Sequence, residues 1–261
     1  MAELPIPPTV PRAALVTGAA HRIGRALALE LGRFGFAVAV HCHRSRAQAD
    51  ALASEIARAG GRAVVLPADL AHEADAQALT AQAAAALGPL GVLVNNASVF
   101  ERDEALSATR ASWDAHLETN LRAPFVLAQN FARQLPDGRE GVIVNLVDQR
   151  VWNLTPHFVS YTVSKAGLWT LTQTLALALA PRIRVNAIGP GPVLPSPRQT
   201  EEQFARQVDS VPLRRAPSLD EIAGALRFIL TTPSFTGQMV ALDGGQHLNW
   251  GTPTAAPAHD E

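Results

Sequence analysis

Seven short apolar runs, separated by stretches of helical periodicity, constrain the fold of this 261-residue chain more than any other feature. The runs cover residues 13–18, 37–42, 63–69, 91–97, 141–148, 183–189 and 238–245, and all are rich in Val, Ile or Ala. Most are continuously apolar, as in strands covered on both faces; an alternating run would mark a sheet with one wet face. Between them, residues 22–35 and 49–61 repeat apolar side chains every three or four positions and end on glycine, which predicts helices. The alanine-rich 76–88 has high helix propensity and reads as an ordinary surface helix. Strands alternating with helices predict one α/β domain: a doubly wound parallel sheet of about seven strands, right-handed crossovers, and helices on both faces. Four prolines in the first 11 residues place ordered structure from Arg12 onward, which divides the chain into a flexible 1–11, a domain at 12–250 and a loose tail at 251–261.

An apolar fraction of 48% with 17% charged residues suits a buried core. The 22 basic and 23 acidic residues nearly cancel, so nothing favours non-specific attraction to nucleic acid or membrane, and small molecules are the expected partners. The single cysteine, Cys42, excludes an intramolecular disulfide and a Cys-based zinc site and suits a reducing compartment. No apolar run approaches the roughly 20 residues that span a bilayer, and the opening residues lack a signal pattern, so a cytoplasmic location is expected.

Ligands on such sheets bind beyond the carboxyl ends of the strands, and the polar motifs fall there. In "TGAAHRIG" (17–24), Gly18 allows a tight turn and Gly24 a close approach of helix to sheet, leaving helix-start amides for a pyrophosphate. Arg22 stands where such turns usually carry glycine. About 20 residues past the turn, where NAD sites place a carboxylate, the chain reads "HCHRSR", His41 to Arg46. Arg44, Ser45 and Arg46 bring cations and a hydroxyl that suit the extra phosphate of NADP, and predict NADPH over NADH; a solvated basic loop is the alternative. A metal site at His41-Cys42-His43 is disfavoured because adjacent strand residues point to opposite faces. Asp69 can accept from an adenine amine or cap the next helix. Asn95 to Ser98 can bond cofactor and backbone, or simply form a turn.

Tyr161 and Lys165, in "YTVSK", lie one turn apart on one face of a long predicted helix over 161–180. An ammonium there can make the phenol, the chain's only tyrosine, a usable acid or base near neutral pH; an ordinary surface pair is the alternative for the motif alone. Taken with "TGAAHRIG" and "NNA", this motif resembles that of the short-chain dehydrogenase/reductase family, over about residues 12–245. The resemblance implies a Rossmann-type fold and catalytic Tyr161 and Lys165. It also implies that Asn120, in "LETNLRAPF", completes a water relay. The implied cofactor set is Gly18, Arg22, Ile23, Gly24, His43, Arg44, Ser45, Asp69, Leu70, Asn95, Ala97, Ser98 and Lys165, with Pro190, Gly191 and Val193 of "NAIGPGPV" near the nicotinamide.

The family places a serine thirteen residues before the tyrosine; here stands Asp148. A carboxyl can supply a proton toward a ring nitrogen while hydride arrives on the neighbouring carbon, which suits a C=N bond, and burial beside a tyrosine would keep it protonated enough to donate. Arg22, "HCHRS", Asp148 and "NNASVF" together resemble the pteridine reductase branch. That resemblance implies a pterin held between nicotinamide and Phe100, contacts from Arg22, Ser98, Asp148 and Tyr161, a substrate lid over about 192–216 with Leu194 and Phe204 as candidate contacts, and a homotetramer. The expected function is NADPH-dependent reduction of dihydrobiopterin, dihydromonapterin or dihydrofolate. A carbonyl or sugar reductase and a non-catalytic NADPH sensor are the alternatives.

Overall fold

The computed structural model describes residues 5–196 and 198–249. Seven strands, β1 (Ala13–Val16), β2 (Ala37–Cys42), β3 (Arg62–Pro67), β4 (Val92–Asn95), β5 (Gly141–Leu146), β6 (Ile183–Pro190) and β7 (Met239–Leu242), form one all-parallel sheet in the order 3-2-1-4-5-6-7. Helices α1 (Arg22–Arg33), α2 (Arg46–Arg58), α3 (Glu73–Leu87), α4 (Arg110–Leu117), α5 (Ala123–Gln134), α6 (Val159–Ala178), α7 (Glu201–Ser210) and α8 (Leu219–Thr231) connect them.

Continuous apolarity has its expected physical cause, two covered faces. Leu15, Ala39, Leu93, Ile143 and Val185 form one row across the register and pack under α3, α5 and α6. Their neighbours Val16, Val38, Val40, Val92, Val94 and Val144 face α1, α2 and α8. Each fully buried aliphatic side chain of this kind contributes about 1.5–3 kcal/mol. The helices present matching stripes: Leu27 and Leu31 on α1, Leu52 and Ile56 on α2, and Leu79, Ala83 and Leu87 on α3. Capping boxes start α4, α7 and α8 at Thr109, Thr200 and Ser218.

The apolar runs in the sequence outlast the strands at their carboxyl ends. Residues 17–18, 68–69, 96–97, 147–148 and 243–245 leave the ladder, and most of the site is built from them. Successive crossovers turn opposite ways at β1 and β4, opening a crevice between the Gly18 turn and the loop after Asn95.

One expectation is corrected. Packing reaches back beyond Arg12: Ile6 and Val10 are buried in the core, Glu140 N–H bonds to the Thr9 carbonyl, and Gly91 packs against the Pro11 backbone. Proline barred this segment from the ladder but not from covering it. The proposed tail at 251–261 lies outside the described residues. Among the described residues, no helix is long and apolar enough to cross a membrane.

Candidate active site

The turn after β1 is held by side chains from two neighbouring strands. Gly18 has φ +60°, and a Cβ there would lie 2.9 Å from Ala97 Cα; one on Gly24 would meet the Gly18 carbonyl oxygen at 2.3 Å. Gly18 N–H donates to His41 Nδ1 (2.9 Å), and His41 Nε2 donates to the Ala68 carbonyl (3.1 Å), so the ring is neutral and its tautomer set. Burial pulls the His41 pKa down to about 4. Asn96 Nδ2 donates to the Thr17 and Gly18 carbonyls (2.9 and 3.0 Å). Thr17 Oγ1 in return accepts from the Asn96 and Ala97 amides.

Arg22 now has a backbone explanation. Its φ is +52°, the left-handed region that favours glycine, which an arginine adopts at a cost of about 1–2 kcal/mol. The side chain crosses the cleft: Nη1 donates to the Pro195 carbonyl (2.6 Å) and Nη2 to that of Leu194 (3.0 Å).

A cavity of about 680 Å³ runs from this turn to α6. At one end His43 lies 3.5 Å from Asp69, whose carboxylate also accepts from Ala71 N–H and pairs with His72. Asp69 therefore closes its own turn while lining the cavity, and α3 starts later, with His72 at the N-cap. Arg46 faces away, paired with Asp50 along α2.

At the other end Tyr161 and Lys165 sit on the first turns of α6. Lys165 Nζ donates to the Leu146 carbonyl (2.8 Å), and burial lowers its pKa to about 8. Its Nζ lies 5.7 Å from the centre of the Tyr161 ring. The Tyr161 hydroxyl donates to Asp148 Oδ2 (2.9 Å), while Asp148 Oδ1 accepts from Arg150 N–H (2.8 Å). Phe100 stacks on Phe158 (4.5 Å, 9°) and meets the Tyr161 ring edge-on (4.6 Å, 67°). Phe158 is itself left-handed (φ +57°) where it caps α6.

Gly18, Arg22, Ile23, Gly24, His43, Asp69, Leu70, Ala97, Ser98, Phe100, Asp148, Tyr161, Lys165, Pro190, Gly191 and Val193 all line this one cavity. Leu194 lines it as well; Phe204 is not among its lining residues. Arg44 and Ser45 lie past its rim, Arg44 exposed. Asn95 is corrected: its side chain is buried in the sheet, donating to Asn145 Oδ1 (2.8 Å), and the adjacent Asn96 reaches the cavity because successive residues face opposite ways. Asn120 sits in a π-helical turn (Glu118–Arg122), fully buried, bonding Val99 N–H, the Val99 carbonyl and Ser164 Oγ. Its side chain ties the Phe100 loop to α6 behind the cavity wall.

The roles of His41 as the clamp on the turn, of Arg150 and Phe158 around Asp148, and of Asp103 are set by tertiary contacts and have no local sequence pattern. The Asp103 carboxylate accepts from Ser160 N–H, Ser160 Oγ and Ser112 Oγ. One signal in the sequence does mark this region: Lys165 is the chain's sole lysine, as Tyr161 is its sole tyrosine.

A parallel sheet with a glycine turn at its switch point and a Tyr–Lys pair on the facing helix defines a dinucleotide-dependent oxidoreductase of the Rossmann class. Residues 12–206 match the short chain dehydrogenase family. The 3-oxoacyl-[acyl-carrier-protein] reductase FabG of Staphylococcus epidermidis is 30% identical over 242 residues, covering 91% of this chain and 99% of that protein. Its Staphylococcus aureus counterpart is 32% identical over 244 residues, 91% of this chain and 98% of that protein. Among solved structures, FolM alternative dihydrofolate reductase 1 from Brucella canis, complexed with NADP, is 50% identical with a TM-score of 0.91, covering 95% of this chain and 98% of that chain. The chain belongs to the short-chain dehydrogenase family of oxidoreductases.

Proposed function

We propose that the protein is an NADPH-dependent reductase of a dihydropterin-type substrate, acting on a C=N bond. The observation that carries this reading is the carboxyl of Asp148, 2.9 Å from the Tyr161 hydroxyl and in the cavity wall with Phe100. A serine would only orient a carbonyl; a carboxyl paired with a phenol forms a proton-handling couple suited to a ring nitrogen. The 50% identity to a dihydrofolate reductase of the same family supports it.

The residues present fit the cofactor. Close backbone approach at Gly18 and Gly24 leaves the start of α1 open to a pyrophosphate, and Arg22 and His43 flank that end, with Arg44 beyond it. NADPH, when bound, supplies hydride. Lys165, already desolvated, would hold the nicotinamide ribose; Tyr161 would deliver the proton, its hydroxyl oriented by the Asp148 carboxylate; Arg22 and Ser98 would fix the pterin. One face of Phe100 is covered by Phe158, so a flat heterocycle would extend that stack on the other. We further propose a cytoplasmic homotetramer, on the resemblance for the assembly and on the single buried Cys42 for the compartment.

The reading is tested by NADPH oxidation with dihydrobiopterin, dihydromonapterin, dihydrofolate, simple ketones and a 3-oxoacyl thioester. Turnover confined to the carbonyl compounds would replace it with the carbonyl-reductase reading that the 30–32% identical FabG relatives favour.

A further inference from the structure

We infer that Arg150 is a positioning residue of the reaction, whose guanidinium offsets the Asp148 carboxylate so that a phenolate can form on Tyr161 although that carboxylate lies 2.9 Å from its oxygen.

The problem is electrostatic. In the step proposed above, hydride adds to the carbon of C=N and the nitrogen takes the Tyr161 proton. The O–H bond breaks, an N–H bond forms, and a phenolate remains until solvent returns the proton. A carboxylate hydrogen-bonded to that oxygen opposes the new negative charge. A serine in its place would not, so the substitution that suits Asp148 to a C=N bond also adds a charge that the Tyr–Lys pair was not built to balance.

Arg150 supplies that balance. It lies in a short 3₁₀ turn (Gln149–Val151) for which Asp148 is the N-cap. Its Nε is 3.8 Å from Asp148 Oδ2, and its side chain is only 11% exposed. Its Cζ sits 5.2 Å from the ring centre of Phe158, 5.6 Å from that of Tyr161 and 5.7 Å from that of Phe100. Among the described residues, three aromatic rings and the Asp148 carboxylate pack around this planar cation, an arrangement that holds it against the tyrosine and limits screening by water. Among the described residues, Tyr161 also has near it Lys165, from α6 itself, and His116, from α4, whose ring centre is 6.0 Å away and which burial biases toward its neutral form. Without Arg150, Lys165 would face both Asp148 and the phenolate; Arg150 adds a second cation beside them.

The chain's single tyrosine makes the test direct, because an ultraviolet difference titration reports Tyr161 alone. Arg150→Met should raise the pH at which Tyr161 ionises by about one unit, the lower end for loss of a nearby opposite charge. Asp148→Asn should lower it, the double variant should return near wild type, and Arg150→Lys, which keeps the charge, should leave it within a few tenths. Circular dichroism across the titration confirms that each variant is folded. Turnover should fall about tenfold in Arg150→Met with the KM for NADPH unchanged, matching one unit of lost phenolate stabilisation. This kinetic arm rests on the proposed dihydropterin reading; the titration needs no substrate, so the two can fail separately. A Tyr161 titration unmoved by Arg150→Met, or moved equally by Arg150→Lys, would overturn the inference and leave Arg150 as packing for the aromatic cage.

Discussion

The two walls of the cavity are built differently. The wall formed by the Phe100 loop and the start of α6 is fastened by buried side chains. Asp103 takes Ser112 Oγ (3.0 Å), Ser160 N–H (3.1 Å) and Ser160 Oγ, and His116 Nδ1 meets the same Ser160 Oγ at 2.7 Å. Asn120 holds Val99 by both its N–H and its carbonyl. The opposite wall, around α7, buries no residue of that helix. It is tied down by arginines at the surface: Arg22 to the Leu194 and Pro195 carbonyls, and Arg198 to the Phe100 carbonyl (2.6 Å) and Glu101 (2.7 Å). A buried polar group deprived of its partner costs about 1–3 kcal/mol, whereas an exposed ion pair is worth about 0–1 kcal/mol. The first wall is therefore fixed by buried bonds, and the second by weaker contacts at the surface.

Substitutions can sharpen or break that contrast. The largest effect is expected from Tyr161→Phe, which keeps the ring in its cage and removes the proton. Single-turnover rates should fall about 10²–10⁴-fold with little change in melting temperature. Acid acts on the fixed side next. The folded pKa of His41 is depressed, so its contribution to stability is complete above pH 6.5 and is lost as pH falls toward about 4, by about 3 kcal/mol. Urea melts across that window should show the loss in wild type and a flatter profile in His41→Asn. Asp103→Ala should cost about 2 kcal/mol by the same melts and lower kcat, since Ser160 adjoins Tyr161. On the lid side, Arg22→Gly relieves the left-handed backbone and should change stability by no more than about 1 kcal/mol, while weakening dihydropterin turnover. Arg198→Ala should be smallest, within about 0.5 kcal/mol, and visible mainly in substrate KM. If it destabilises as much as Asp103→Ala, the two walls do not differ as described.

The fold was legible because its cause is local and repeated. Continuous apolar runs mean two covered faces, and seven of them alternating with amphipathic helices leave little topological choice. The Tyr161–Lys165 pair was legible for a similar reason: the two sit four apart on one helix, where spacing is geometry. Asp148 was readable only through its distance from Tyr161 in a family pattern. Arg22 was legible as an anomaly whose backbone cause, a positive φ, needed the structure. That the Asn95 side chain turns into the sheet and that of Asn96 toward the cavity needed the structure, because a strand end does not announce which face it presents.

Periodicity and short-range spacing fix the sheet, the crevice at its switch point and the chemical types gathered there. How those groups are held depends on contacts between distant segments. Asp103 and Ser160 are 57 residues apart, His116 and Ser160 are 44 apart, and Arg22 and Pro195 are 173 apart. Even Arg150, two residues from Asp148, acquires its role from Phe100 and Phe158, which reach it from other segments of the chain. Such contacts depend on how packed elements bring distant side chains together, and no local pattern encodes them.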